Sequence, residues 1–159
     1  MSDPNANARR MLGIMERLRP LFLGPAFRRL TELQLSPSHH RMLRVLATAH
    51  PMAMKDLADR LGLTPPSITA LTRRLVATGL VERRAHLDDS RVALLDLTAA
   101  GNALYQELMA EQLLGMRRLL DTLSPAEQET LLELLDRAVS GATDGAACDH
   151  HRPTSGPPR

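Results

Sequence analysis

The chain has 159 residues, of which 43% are hydrophobic, 24% charged and only 2% aromatic, with a single cysteine. That is the length of about one domain with enough apolar residues for a core, and its Leu, Ala and Met bias favours helices and excludes a sandwich or barrel of β-branched strands. The formal net charge of +2 demands no anionic partner by itself, although every basic residue except Lys55 is an arginine, the side chain that forks onto phosphates and guanine edges.

Residues 1–8 read as a loose arm and residues 141–159 (GATDGAACDHHRPTSGPPR) as a disordered tail, because neither carries enough apolar surface to offset the entropy of ordering. Residues 9–140 read as a single domain. From Arg9 to Leu35 the residues Met11, Met15, Leu18, Phe22, Phe27, Leu30 and Leu33 recur at helical spacing, and Pro20 with the Gly24-Pro25 pair predicts a kink or break. Ser36 and Pro37 form an N-cap and first-turn pair for a second helix ending near His50 and Pro51. A short extended piece, Met52 to Met54, precedes a compact helix from Lys55 to Leu61 closed by Gly62.

Thr64 caps the next helix, which tolerates Pro65 and Pro66 in its first turn and ends at Gly79. Leu80 to His86 and Val92 to Leu97 alternate loosely around the polar turn Asp88, Asp89, Ser90, so they read as a hairpin. A long helix follows from about Ala99 to Leu120, and Ser124, Pro125 and Glu127 supply a capping box for a last helix ending near Val139. The fold class is therefore mainly α with one small β-hairpin.

Residues 55–79 hold two short helices joined by Gly62, Leu63 and Thr64, the geometry of a helix-turn-helix. With about 100° per residue, Ile68, Leu71, Thr72 and Leu75 share one side of the second helix and Pro66, Ala70, Arg73 and Ala77 the other. Thr69 and Arg74 lie on the flanks. Small residues let such a face enter a groove, and hydroxyls and arginines can bond bases and phosphates. The hairpin adds Arg83, Arg84 and Arg91, placing positive charge where a phosphate-contacting wing would stand.

The stretch LADRLGLTPPSITALTRRLVATGLVERR followed by DSRVALLDLTAAG resembles the MarR family of bacterial transcription regulators. The match comprises the recognition-helix pattern, the wing pattern Asp-x-Arg and the closing Leu-Thr-x-x-Gly, within a resemblance covering roughly residues 9–140. It implies a winged helix-turn-helix lobe (36–98) flanked by dimerisation helices (9–35 and 99–140). It also implies that Ser67, Thr69, Arg73 and Arg74 face the major groove of double-stranded DNA. Arg91 would reach towards the minor groove, and Asp89 would orient a neighbouring wing arginine. Thr64, Pro66 and Arg84 complete the expected DNA-contacting set. Met54 departs from the Ser or Thr cap usual in relatives, and His86, Asp88 and Asp89 put an acidic tip on the wing.

The expected function is a sequence-specific DNA-binding regulator, a repressor acting as a homodimer on a pseudo-palindromic operator, with a small-molecule effector implied by the resemblance. A winged-helix module that binds protein and not DNA is the alternative, favoured by the acidic wing tip and low net charge. No Gly-rich phosphate loop, HExxH or GxSxG is present, so an enzyme is not expected, and no cofactor is. His39 with His40, and Glu107 with Glu111 one turn apart, have spacings that can hold a metal, and Cys148, Asp149, His150 and His151 could bind one adventitiously. No metal site is expected from them, since the first two read far more readily as solvated surface and the last as tail. The stripes Met11, Leu18, Leu104, Leu108, Leu119, Leu131 and Leu135 are too extensive for one small core, which points to a second copy of the chain. Cys148 alone excludes an internal disulfide. The polar start and lack of a roughly 20-residue apolar run point to a cytosolic, cytoplasmic protein with no membrane partner.

Overall fold

The computed structural model describes residues 4–49, 51–85 and 93–148. Helix α1 spans Pro4–Leu18, a 3-10 segment spans Arg19–Phe22, and α2 spans Pro25–Glu32. The break expected at Pro20 and Gly24-Pro25 is present. Helix α3 follows at Pro37–Thr48, then strand β1 at Met52–Ala53, α4 at Met54–Leu61, α5 at Pro65–Ala77, β2 at Val81–Ala85, β3 at Ala93–Leu97, α6 at Ala99–Leu120 and α7 at Pro125–Cys148.

Both ends carry more helix than expected. Helix α1 starts inside the segment read as a loose arm, with Pro4 in its first turn and the strong helix formers Ala6 and Ala8 behind it. Helix α7 runs past Val139 to Cys148, where Ala142, Ala146 and Ala147 offset Gly141 and Gly145.

The sheet is three-stranded and antiparallel in the order β1-β3-β2. Met52 pairs with Leu95 and Ala53 with Leu94, while the hairpin pairs Val81 with Leu97 and Glu82 with Asp96. A two-residue strand carries no alternation to detect, which is why β1 read only as an extended piece.

Three turns close helices in the same way. Leu35, Leu63 and Leu80 donate back to the carbonyls of Leu30, Ala58 and Leu75 at 2.8, 3.0 and 3.0 Å. Leu35 and Leu80 are buried and Leu63 packs against the core, the hydrophobic contact that accompanies a Schellman closure. Gly62 and Gly79 adopt the left-handed conformation this requires, with φ of 64° and 72°, but in the first turn the left-handed residue is Gln34, with φ 54°.

Two compact units divide the chain, Met1–Met116 and Arg117–Arg159. The core of the first contains Met42, Leu43 and Leu46 of α3, Leu57 of α4, Leu75 of α5 and Leu95 of β3, all fully buried. Ala26 and Leu30 of α2 and Leu104 and Leu108 of α6 belong to the same cluster. The core of this unit thus draws on residues outside 36–98, among them two of the α6 stripe expected to face a partner. Leu104 and Leu108 serve this core, whereas Leu113, Leu114 and Met116 are exposed. Burying one leucine contributes roughly 2 kcal/mol, so Leu30, Leu104 and Leu108 together weigh heavily against a domain stability of about 5–15 kcal/mol.

In the second unit, the amide and hydroxyl of Ser124 both donate to Glu127 Oε2, at 2.9 and 2.7 Å. This forms the capping contact expected there. The Ser124 hydroxyl and amide hold the Glu127 carboxyl below the usual carboxylate range.

Candidate nucleic-acid interface

Helix α5 is anchored by one face and presents the other. Ile68, Thr72 and Leu75 are buried, while Thr64, Pro66, Ser67, Ala70, Arg73 and Ala77 are exposed and Thr69 is half-buried. The helix begins with Pro65 and Pro66, whose missing amides cost nothing in a first turn. Grooves of about 410 and 550 Å³ lie along it, the first between Ser36, Ser38 and His39 and the residues Ser67 and Arg74, the second beside Pro65, Thr69 and Arg73. Ala70 lines both, so it forms a low ridge between them.

The polar groups of this face differ in how free they are. Thr64 Oγ1 and Ser67 Oγ share a hydrogen bond of 2.9 Å, and Thr69 Oγ1 donates to the carbonyl of Pro65 at 2.8 Å. Arg73 is exposed and makes no ion pair among the described residues. Arg74, expected to face the groove with Arg73, lines the first groove and also has partners within the chain. Its Nη2 donates to the carbonyl of Leu33 at 2.7 Å and to Gln34 Oε1 at 3.1 Å, fastening α5 to the turn after α2.

The wing also distributes its arginines unequally. Arg84 Nε and Nη2 donate to Glu82 Oε1 at 2.8 and 2.6 Å, and Nη1 meets Asp96 Oδ2 at 2.8 Å. The hydrogen bond to Glu82, then the Asp96 charge, raise the Arg84 pKa further. Asp96 is only 4% exposed, and its other oxygen accepts the Leu97 amide at 2.8 Å. Arg84 is therefore held within the sheet, by an acid that reasoning from sequence missed. The signal was available in the register: Glu82 and Arg84 are two apart on β2, and Asp96 stands opposite Glu82, so all three share a face. Arg91 and Asp89, with His86 and Asp88, lie outside the described residues.

Recognition helix and wing meet α6 at the Leu-Thr-x-x-Gly sequence. Thr98 Oγ1 donates to the Gly79 carbonyl at 2.6 Å and accepts the Gly101 amide at 3.0 Å, while the Thr98 amide donates to the Leu80 carbonyl at 3.1 Å. One residue thus caps α6 and ties it to the turn that ends α5.

Three of the residues considered as metal ligands, Glu107, Glu111 and His39, have other partners. Glu111 accepts the Ala26 amide at 2.8 Å and the Phe27 amide at 3.4 Å, capping α2, and Glu107 pairs with Arg29 at 2.7 Å. His39 Nδ1 lies 3.0 Å from the Ser36 amide and 2.8 Å from its hydroxyl. Among the described residues no three His, Cys, Asp or Glu side chains come together as a metal site. Cys148 ends α7, and Asp149, His150 and His151 lie outside the described residues. No described helix is long and apolar enough to cross a membrane.

Burial, then the charge of Arg74, lowers the His39 pKa, and burial, then Arg44, lowers that of His40. Each imidazole therefore favours its neutral form in the folded chain relative to the ordinary value of 6.5. Their stability contribution is complete above that value and is lost as pH falls through it towards the lower folded values. The urea midpoint is expected to drop between pH 7.5 and 5.5, and an H39Q/H40Q double variant should show a smaller drop. An unchanged drop would remove these two histidines as its source.

A helix-turn-helix with an exposed second helix, followed by an antiparallel hairpin, defines the winged helix-turn-helix class. Residues 33–92 match the family model described as MarR family. The chain is 27% identical over 114 residues to the helix-turn-helix transcriptional regulator YfiV of Bacillus subtilis, covering 70% of this chain and 71% of that protein. It is 28% identical over 106 residues to the homoprotocatechuate degradative operon repressor of Escherichia coli, covering 67% and 72%. The fold is similar to that of MepR of S. aureus, solved as a MepR–DNA complex, with a TM-score of 0.66, 23% identity and coverage of 84% and 96%. Residues 33–92 thus carry the pattern of the MarR family, and the relatives that the chain resembles are named as transcriptional regulators.

Proposed function

We propose that this regulator is a ligand-responsive repressor that binds a pseudo-palindromic operator as a homodimer in the cytoplasm. Helix α5 enters the major groove with Thr64, Pro66, Ser67, Thr69 and Arg73, and Arg91 approaches the minor groove from the wing. The observation that carries this reading is the division of α5 between an anchored apolar face and an exposed face of small residues, hydroxyls and Arg73. The DNA complex of MepR and the repressor function named for the E. coli relative support it. Dimerisation is supported by the exposed apolar side chains Met11, Leu12 and Met15 on α1, Leu113 and Leu114 on α6 and Leu132, Leu135 and Val139 on α7, more than an isolated chain ordinarily presents to water.

The test is binding to mixed genomic DNA across a salt series, with sedimentation of the same sample. A dimer retained at low salt and released as salt rises fits counterion release by phosphate contacts. A chain that sediments as a monomer at micromolar concentration rules out the two-half-site mechanism. Absence of retention at any salt favours the protein-binding alternative, to which the neutralised Arg84 lends its one specific observation.

A further inference from the structure

We propose that His39 and Arg74 are positioning residues for the recognition helix: between them they fasten the Leu33–Ser36 turn joining α2 to α3, and protonation of His39 loosens α5 and weakens DNA binding. The second half of this inference rests on the DNA-binding reading above.

The turn is held under constraint. Gln34 adopts φ 54°, a conformation that its β-carbon disfavours, at the position where the two similar turns have glycine. A glutamine brings what glycine lacks, a side-chain acceptor, and Arg74 uses it. One guanidinium nitrogen from α5 bonds both the Leu33 carbonyl and Gln34 Oε1. Leu35 is then buried and Ser36 caps α3. The recognition helix and the start of α3 therefore share one short stretch of chain as their joint.

His39 fastens the other end of that stretch. The Ser36 amide can only donate, so Nδ1, 3.0 Å away, must offer its lone pair. That assigns the proton of the neutral ring to Nε2, which is buried with no hydrogen-bond partner among the described residues. The whole residue is only 8% exposed. Protonation would place an N–H on Nδ1 facing the Ser36 N–H, so the capping contact would be lost. It would also put an imidazolium beside Arg74, whose charge already acts on this ring.

Among the described residues lining the groove, none carries a negative charge to offset the imidazolium. From α5 the charged group facing it is Arg74, and the α2–α3 turn offers the neutral amide of Gln34. The groove contains the hydroxyls of Ser36, Ser38 and Ser67 with Leu63 and Leu71, and no carboxylate. On α3 itself, Arg41 reaches to the Leu61 carbonyl, and His40 stands by Arg44.

The experiment uses the full chain and a 30-base-pair duplex selected from a random pool at pH 7.5, with affinity measured at pH 7.5, 6.5 and 5.5. In H39Q the amide oxygen can accept from Ser36, as glutamine does in a capping box, without titrating. Wild-type affinity is expected to fall about threefold to tenfold between pH 7.5 and 5.5, the scale of one lost cap. Acid ordinarily strengthens protein–DNA attraction by adding positive charge, so a fall is opposite to the general trend. H39Q should lose the fall and H40Q should keep it. A wild type with no fall, or an H39Q variant that retains it, overturns the proposal. If the wild type selects no duplex, the DNA-binding reading fails and amide-exchange protection of α5 decides the joint. Protection lower at pH 5.5 than at 7.5 in wild type but not in H39Q supports the joint, and equal protection overturns it.

Discussion

Replacing Gly101 with alanine is expected to destabilise the protein by about 3 kcal/mol, at the upper end of overpacking costs. An added β-carbon would collide with the carbonyl oxygen of Leu80. That oxygen belongs to backbone, is bonded to the Thr98 amide and sits in the turn ending α5, so no side chain can move aside. Relief would require the start of α6 to lift from the turn, breaking the Thr98 hydroxyl bond to Gly79 as well. Near 2–4 °C per kcal/mol for a chain of this size, the melting temperature should fall by roughly 6–12 °C. Gly13 is the control, since a β-carbon there meets nothing within 4 Å, and G13A should be neutral or stabilising by up to about 1 kcal/mol through helix propensity. Equal melting temperatures for G101A and wild type would show that α6 does not approach Leu80 as closely as described.

What the sequence made legible was whatever is encoded locally. Ser36-Pro37, Thr64-Pro65, Gly62 and Gly79 mark helix ends by backbone chemistry, and the long helix read as Ala99 to Leu120 has those bounds in the structure. The split of α5 into buried Ile68, Thr72 and Leu75 against exposed Ala70 and Arg73 follows from a period of 3.6.

What remained hidden depends on partners far away in the chain. Arg74 lies on the flank of the wheel, where periodicity does not decide between groove and protein, and the acceptors it bonds in the structure are about forty residues upstream. Arg84 counts as free charge until the register brings Asp96 across from Glu82. Leu104 and Leu108 have the same spacing whether their stripe meets the lobe or a second chain, and only tertiary packing distinguishes the two.

The contrast between Arg73 and Arg74 yields the second large effect. On the proposed reading R73A loses contact with the operator directly, and if that contact is a bidentate bond to guanine the cost is about 1–3 kcal/mol, roughly tenfold to more than a hundredfold in affinity. One operator position should become permissive, and the melting temperature should stay near that of wild type because the side chain is exposed and makes no ion pair among the described residues. R74A should behave differently, since it removes the donor to Leu33 and Gln34 and leaves the left-handed turn unsupported. Its melting temperature should drop, and its affinity should weaken by a similar factor for every half-site variant, because a displaced helix misplaces all its contacts together. Binding of both variants to a panel of single-base operator changes, with thermal melts alongside, separates the two roles. If R74A relaxes one base position while R73A weakens all positions alike, the assignment of reader and strut is inverted.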